Sequence, residues 1–219
     1  IDELPPGRKP VKTYHLYQDD RYRIMRFMKQ QIAEGRQIYV VYPLIKESEK
    51  TDLIALQQGY EALLCDFPEP QYKLCVCHGR LSAEDKDWEM QRFIGRNAQI
   101  MVATTVIEVG VNVPNATVMV IENANRFGLS QLHQLRGRVG RGADQSYCIL
   151  VTDRKLNPDA KRRMQTMVST SDGFEIAEVD LELRGPGETG GTRQSGQIEM
   201  LIGDLQKDGP LIQQTRARA

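Results

Sequence analysis

Short hydrophobic runs alternate along the chain with segments in which apolar residues recur every three or four positions. Runs such as 38–42 and 74–78 are almost continuously apolar, which is typical of strands buried on both faces of a parallel sheet. Parallel strands need crossover connections, and the helical segments supply them. The pattern predicts an α/β fold, a mostly parallel sheet with helices on both faces. The predicted strands are 11–17, 38–42, 74–78, 99–103, 117–122 and 146–152.

Cap residues and apolar spacing predict three helices between these strands. We expect the first to begin after Asp19 or Asp20 and to end at Gly35. The second opens at Thr51, and the third begins after Ser82 in a capping box. The positions expected to face the core are Ile24, Phe27, Met28 and Ile32 in the first helix, Leu53, Leu56, Leu63 and Leu64 in the second, and Trp88, Met90 and Phe93 in the third.

The pattern changes after Asp153. Helices are predicted over 158–168, with Pro158 in the first turn, and over 174–183. The segment 184–196 then holds five of the 18 glycines, so it is either a mobile linker or a loop whose backbone approaches something closely. Apolar residues just before it favour the second alternative, because a linker would not need them packed. They are Phe174, Ile176, Leu181 and Leu183.

Composition narrows the class of protein. Apolar residues make up 40% and charged residues 26% of the chain, and no apolar run approaches the length of a membrane span, so we expect a cytosolic globular protein without membrane contact. The first ten residues begin without methionine and are rich in proline, which predicts a linker from an upstream part. The formal net charge is zero, which excludes a general polycation. Residues 126–163 nevertheless carry a local excess of six positive charges, and residues 172–188 an excess of five negative ones.

Cys75, Cys77 and His78 lie close together in one predicted strand. Half of a metal site is one interpretation, since alternate strand residues share a face. No partner cluster occurs elsewhere, so the sequence favours reduced, packed thiols and no bound metal.

Three arginines separated by glycines form the sharpest motif, in the segment 131–142. Arg136, Arg138 and Arg141 are hard to explain as a solvated helix face, since glycine weakens a helix. A guanidinium offers a fixed fork of donors to phosphate oxygens, so the motif indicates phosphate recognition. The alternative is a patch for the nucleic-acid backbone with no role in hydrolysis.

A second motif follows a buried strand, in the segment 103–114. Thr104 and Thr105 come at the carboxyl end of that strand, where ligands of open α/β sheets collect. Hydroxyls beside helix-start amides suit a phosphate of DNA or RNA. An ordinary helix cap is the alternative.

In this order and spacing, the two segments resemble motifs V and VI of the superfamily 2 helicases. The resemblance implies a RecA-like lobe of the P-loop NTPase type, with ATP and Mg²⁺ bound between two such lobes and nucleic acid across both. The phosphate loop G-x-x-x-x-G-K-[ST] does not occur in the chain, which therefore resembles the second lobe only, inactive without the first. All three guanidinium groups are then expected near the carboxyl ends of the strands, against the terminal phosphate.

The resemblance also implies roles for single residues. Arg138 and Arg141 match arginine fingers, and Gln134 matches a polar residue that senses the γ-phosphate. Asn112 stands where an aspartate is usual, so its contact to the ribose loses a charge but keeps a hydrogen bond. The nucleotide-facing positions implied are Glu108, Gly110 and Asn112, and the DNA-facing ones are Thr104, Thr105, His78 and Arg80.

The tail resembles the translocation motif of the RecG family of branch-migrating helicases, on the segments 172–188 and 191–196. That resemblance implies a helicase lobe over 11–153, a helical hairpin and loop over 154–200, and a tail over 201–219. It further implies that Arg163, Arg184 and Gln194 couple ATP hydrolysis to translocation on branched or duplex DNA. Implied partners are an upstream wedge domain and first lobe, and the implied location is the bacterial cytoplasm, on the nucleoid. Transcription-repair coupling factor and a stand-alone nucleic-acid-binding module remain as alternatives.

Overall fold

The computed structural model describes residues 9–43, 49–104 and 112–185, with the backbone alone for 49–53. The described strands are all parallel and form one sheet in the order β1-β6-β5-β2-β4-β3. Their bounds agree with the predicted strands to within one residue, so the mostly parallel sheet is confirmed. The strands are β1 Lys12–Tyr17, β2 Gln37–Tyr42, β3 Leu74–Cys77, β4 Ile100–Thr104, β5 Ala116–Ile121 and β6 Tyr147–Thr152.

Helices cover both faces of this sheet, as the pattern predicts. The described helices are α1 Arg21–Ala33, α2 Glu49–Asp66, α3 Ala83–Ile94, α4 Leu129–Arg136, α5 Pro158–Ser169 and α6 Gly173–Arg184. Helices α1 and α2 pack on one face, and α3 to α6 on the other. Alternate residues of β2 face the two cores: Val40 packs in the core beneath α1 and α2, and Val41 packs in the core beneath α3 to α6.

The predicted helix starts agree with the structure to within one residue, except that of α2. Ser82 caps α3, its Oγ accepting the Asp85 N–H at 3.0 Å, and Asn157 caps α5 in the same way at 2.7 Å. Helix α2 begins at Glu49, two residues before the predicted Thr51.

Three residues assigned to the core are instead exposed. Trp88 is 60% exposed and lies against the Arg92 guanidinium, 4.7 Å from its ring centre. Phe174 and Leu181 are exposed on α6, whereas Ile176 is buried. Helical spacing alone did not reveal the exposure of Phe174 and Leu181, because α6 is apolar on more than one side.

The four thiols are free, and three of them are buried. Cys75 and Cys77 share the core beneath α3, and burial raises both thiol pKa values. The packed thiols predicted for Cys75 and Cys77 are thus found, while Cys65 is exposed on α2.

Arg136 fastens the end of α5 to α4 and the sheet. Its side chain is buried, with 4% of the residue surface exposed. Nη1 donates to the Met167 carbonyl at 2.7 Å, to the Thr170 carbonyl at 3.0 Å and to Thr13 Oγ1 at 3.3 Å. The prediction that Arg136 meets a phosphate is therefore wrong, because its donors are committed to the carbonyls at the C-terminus of α5.

We predict that Arg136→Met destabilises the chain by about 3 kcal/mol. The substitution keeps the apolar bulk but leaves two backbone carbonyls without their charged donor. Urea unfolding of the chain measures the change. Arg141→Met is the matched control, and its partly exposed side chain should shift the free energy of unfolding by no more than about 0.5 kcal/mol. Equal effects of the two substitutions would contradict the structural role of Arg136.

Candidate nucleotide and DNA interface

The loop that carries Arg138 and Arg141 lies along the edge of the sheet where the strands begin, here named the amino edge. A Cβ on Gly140 would overlap Val11, which directly precedes β1. A Cβ on Gly142 would lie 3.2 Å from the carbonyl oxygen of Pro114, just before β5. Asp144 forms an ion pair of 2.6 Å with Arg36, which precedes β2. The loop between α4 and β6 therefore reaches the starts of three strands.

This position corrects the expectation that the arginines lie near the carboxyl ends of the strands. Helix α4 follows β5, so it starts where β5 ends and returns toward the start of β6. Residues after α4 must therefore lie at the amino edge. The prediction followed the general rule that ligands of open α/β sheets bind at the carboxyl ends of the strands, and these arginines do not follow that rule.

Arg138 and Arg141 are both partly exposed. Both guanidinium charges act on the hydroxyl of Tyr39, in the core beneath α3 to α6. Burial raises the Tyr39 pKa to about 12, and the two positive charges oppose that rise. Arg141 Nε donates to the Gly137 carbonyl at 3.3 Å. Gly140, with a φ of +78°, supplies a left-handed turn just before Arg141.

Asn112 lies near the same loop. It is exposed and precedes Val113, which is buried in the core beneath α3 to α6. The next residue, Pro114, is the one in contact with Gly142. The candidate ribose contact and the candidate arginine fingers thus share the amino edge, while Glu108 and Gly110 lie outside the described residues.

The candidate DNA residues lie at the opposite edge, here named the carboxyl edge. Thr104 ends β4 but is only 2% exposed, and its Oγ1 has no hydrogen-bond partner within the described parts of the chain. The structure therefore does not present Thr104 to a ligand. Thr105 lies outside the described residues.

His78 follows β3 at the carboxyl edge. Its Nδ1 accepts the Arg80 backbone N–H at 3.3 Å, which leaves Nε2 as the protonated nitrogen of the neutral ring. Burial lowers the His78 pKa, and the charges of Lys86 and Arg80 lower it further. The ring is therefore a neutral hydrogen-bond donor at neutral pH, beside two cationic side chains.

Sequence reasoning missed two residues at this edge. Lys86, one turn into α3, donates to the Gly79 carbonyl at 3.2 Å and so holds the turn that carries His78 and Arg80. Glu122 is buried at the end of β5 and forms an ion pair of 2.8 Å with Arg21, the first residue of α1. A charged residue directly after an apolar strand is the signal that could have revealed Glu122.

The candidate coupling residues lie around α6. An open groove of about 360 Å³ separates α4 from α6, and both Gln134 and Arg184 line it. Arg184 forms an ion pair of 2.7 Å with Asp180, one turn earlier. Arg163 Nη2 donates to the Asn125 carbonyl at 2.8 Å, which ties α5 to the turn after β5. Gln194 lies outside the described residues.

Two observations concern metal binding and membrane spans. Within the described residues, no cluster of three or more His, Cys, Asp or Glu side chains could hold a metal ion. None of the described helices combines the length and apolarity that a membrane span requires.

The chain matches two family models in succession. Residues 22–143 match the helicase conserved C-terminal domain, and residues 170–219 match domain 3, C-terminal, of ATP-dependent DNA helicase RecG. The chain is 49% identical over its whole length to ATP-dependent DNA helicase RecG of Synechocystis sp. and 48% identical to that of Bacillus subtilis. It spans 26% and 32% of these relatives, about a quarter to a third of their length.

Two solved structures agree with the family models. A structure described as RecG bound to a three-way DNA junction is 45% identical with a TM-score of 0.72, and the match covers 97% of this chain and 27% of that one. S. cerevisiae Dbp5, bound to RNA and ADP BeF3, shares the fold at 14% identity and a TM-score of 0.52, over 83% of this chain and 47% of that one. The chain therefore belongs to the helicase conserved C-terminal domain family, and within that family it is of the RecG type.

Proposed function

We propose that this chain is the second motor lobe of an ATP-dependent DNA helicase that remodels branched DNA, by fork reversal or branch migration, in recombination and repair. One observation carries the proposal beyond family membership. Arg138, Arg141 and Asn112 share one edge of the sheet, while His78 and Arg80 lie at the opposite edge. One lobe can then contact a nucleotide and DNA at the same time.

Arg138 and Arg141 would stabilise negative charge on the terminal phosphate of ATP supplied by a first lobe. An arginine so placed is worth roughly 10³ to 10⁵ in the rate of phosphoryl transfer. The Asn112 amide would hydrogen-bond the ribose, and Gln134, one turn before Arg138, would sense the phosphate. The described residues hold no carboxylate cluster for Mg²⁺, so we assign the metal mainly to the first lobe.

The carboxyl edge would contact the DNA backbone. His78 offers a neutral Nε2–H donor, and Arg80 offers a guanidinium with a fixed fork of donors. Such contacts fix the position of a protein on DNA without selecting a sequence. This behaviour suits a translocase, which must bind every sequence that it crosses.

The groove between α4 and α6 supports a coupling role for Arg184. Gln134 lines this groove one turn before Arg138, so a shift of α4 on nucleotide binding would change the surroundings of Arg184. Arg163 holds the hairpin to the turn after β5, and Gln194, outside the described residues, would contribute to the same coupling. The remaining partners of the proposal are an upstream wedge domain and first lobe, at work on the nucleoid in the bacterial cytoplasm.

The first test of the proposal concerns Arg138. In the full-length protein, Arg138→Ala should lower DNA-stimulated ATP hydrolysis about a thousandfold or more, because charge on the transferred phosphoryl group loses its stabilisation. DNA affinity should stay close to that of the wild type. Steady-state ATPase assays and DNA-binding titrations measure the two effects. Arg162→Ala, which removes an exposed arginine paired with Glu182, is the control and should leave both unchanged.

Normal turnover in the Arg138 variant would remove the finger assignment. It would favour the alternative in which the chain is a nucleic-acid-binding module that never meets ATP.

The second test separates turnover from movement. Arg184→Ala should keep DNA-stimulated ATPase within about threefold of the wild type but lower the unwinding rate of branched DNA at least about tenfold, since coupling and hydrolysis use different contacts. Gln194→Ala should behave in the same way. Loss of both activities together, with a lowered melting temperature, would indicate misfolding and contradict the coupling role.

A further inference from the structure

The outer face of α1 carries a cluster of positive charge that the motifs above do not use. Its inner face packs Ile24, Met25 and Met28 against the sheet. Its outer face exposes an aromatic ring and three cations, and no Asp or Glu occurs between Arg21 and Ala33. These four exposed residues, named here the α1 outer face, are Tyr22, Arg23, Arg26 and Lys29.

The three cations of the α1 outer face form no ion pair within the described residues. Arg21, by contrast, is paired with the buried Glu122. Lys29 lies 5.5 Å from the centre of the Phe67 ring, and the residue is exposed. The chain as a whole has no net charge. A helix face that carries cations and no acidic residue is therefore a local excess of positive charge, since protein surfaces usually mix both signs.

The spacing of these cations fits a row of phosphates. Residues three apart on a helix are about 4.5 Å apart along its axis, so the three cations span about 9 Å. Three consecutive phosphates of one DNA strand span about 7 Å of the duplex axis. Neighbouring phosphates lie farther apart along the winding strand than along the axis, and the long, flexible side chains of arginine and lysine can spread to meet them.

The position of α1 also favours DNA. Its first residue is tied to Glu122 at the end of β5, so α1 begins at the carboxyl edge, where His78 and Arg80 also lie. A duplex in contact with that edge could therefore continue along α1. An anionic membrane fits less well, because helices that lie on membranes insert their apolar face, and the apolar face of α1 is buried against the sheet.

We propose that the α1 outer face is a binding surface for the phosphate backbone of duplex DNA, in addition to the contacts at the carboxyl edge. The proposal rests on the proposed DNA-motor function and adds a second contact region to it. Arg23, Arg26 and Lys29 neutralise neighbouring phosphates, and Tyr22 packs against the sugar between them. This surface holds the duplex irrespective of its sequence.

The test uses the full-length protein and labelled duplex DNA without nucleotide. We compare the triple variant Arg23→Gln, Arg26→Gln, Lys29→Gln with the control Lys73→Gln, Lys155→Gln, Lys161→Gln. The control removes the same charge from exposed lysines scattered over other elements. Fluorescence anisotropy over a series of salt concentrations gives the Kd and its salt dependence.

The α1 triple variant should raise Kd about tenfold or more near 0.1 M salt. It should also lower the slope of log Kd against log salt concentration by about 2 to 3, since each phosphate contact releases about one counterion. The control should stay within about threefold of the wild type, because charges beyond a Debye length are screened. A Lys-for-Arg double variant, Arg23→Lys with Arg26→Lys, should keep the wild-type slope because it keeps the positive charge, and an unchanged melting temperature of the triple variant excludes misfolding.

An unchanged slope in the α1 variant, or an equal loss in the control, would overturn the proposal. So would a variant that binds DNA normally but no longer binds vesicles of anionic lipid. DNA binding is measured without ATP. If the wild-type protein did not hydrolyse ATP, the proposed motor function would be wrong, but the DNA-binding result could still be interpreted.

Discussion

Every pair of parallel strands in this sheet depends on a crossover that carries the chain back from the carboxyl edge to the amino edge. The two candidate functional segments lie on such crossovers. One leaves β4 at Thr104 and arrives before β5 at Asn112, and the other runs through α4 to the loop before β6. The residues that begin a crossover and those that end it therefore face opposite edges. On the proposed function, this separation lets one lobe contact DNA and nucleotide together.

Arg136 links the loop between α4 and β6 to the helical hairpin of α5 and α6. It lies two residues before Arg138, and its guanidinium holds the carbonyls that end α5. A buried cation with committed donors is expensive to displace, so the start of the loop and the end of α5 should move as one unit. In the same region, Gln134 and Arg184 share the groove between α4 and α6. A rigid link beside an open groove is a reasonable arrangement for passing a small movement of α4 to the hairpin.

The sequence predicted the strands well because buried parallel strands are short, apolar and separated by caps that act locally. Ser82 is such a cap, and its Oγ accepts the Asp85 N–H as predicted. Asn157 caps α5 in the same way, although only Pro158 marked that helix start in the sequence. It predicted side-chain surroundings less well. Arg136 and Arg138 are two residues apart with the same chemistry, and only the packing of α5 decides that the first is buried. Trp88 was assigned to the core by spacing, yet α3 exposes it beside Arg92. Thr104 was expected to face DNA, but the sheet buries its hydroxyl.

Hydrogen exchange on the full-length protein tests the division between the two edges most directly. A non-hydrolysable ATP analogue should slow exchange of the amides at 137–142 and leave those at 78–82 unchanged, while duplex DNA should do the reverse. Nucleotide and DNA that protect the same edge, or nucleotide that protects 78–82 alone, would contradict the account.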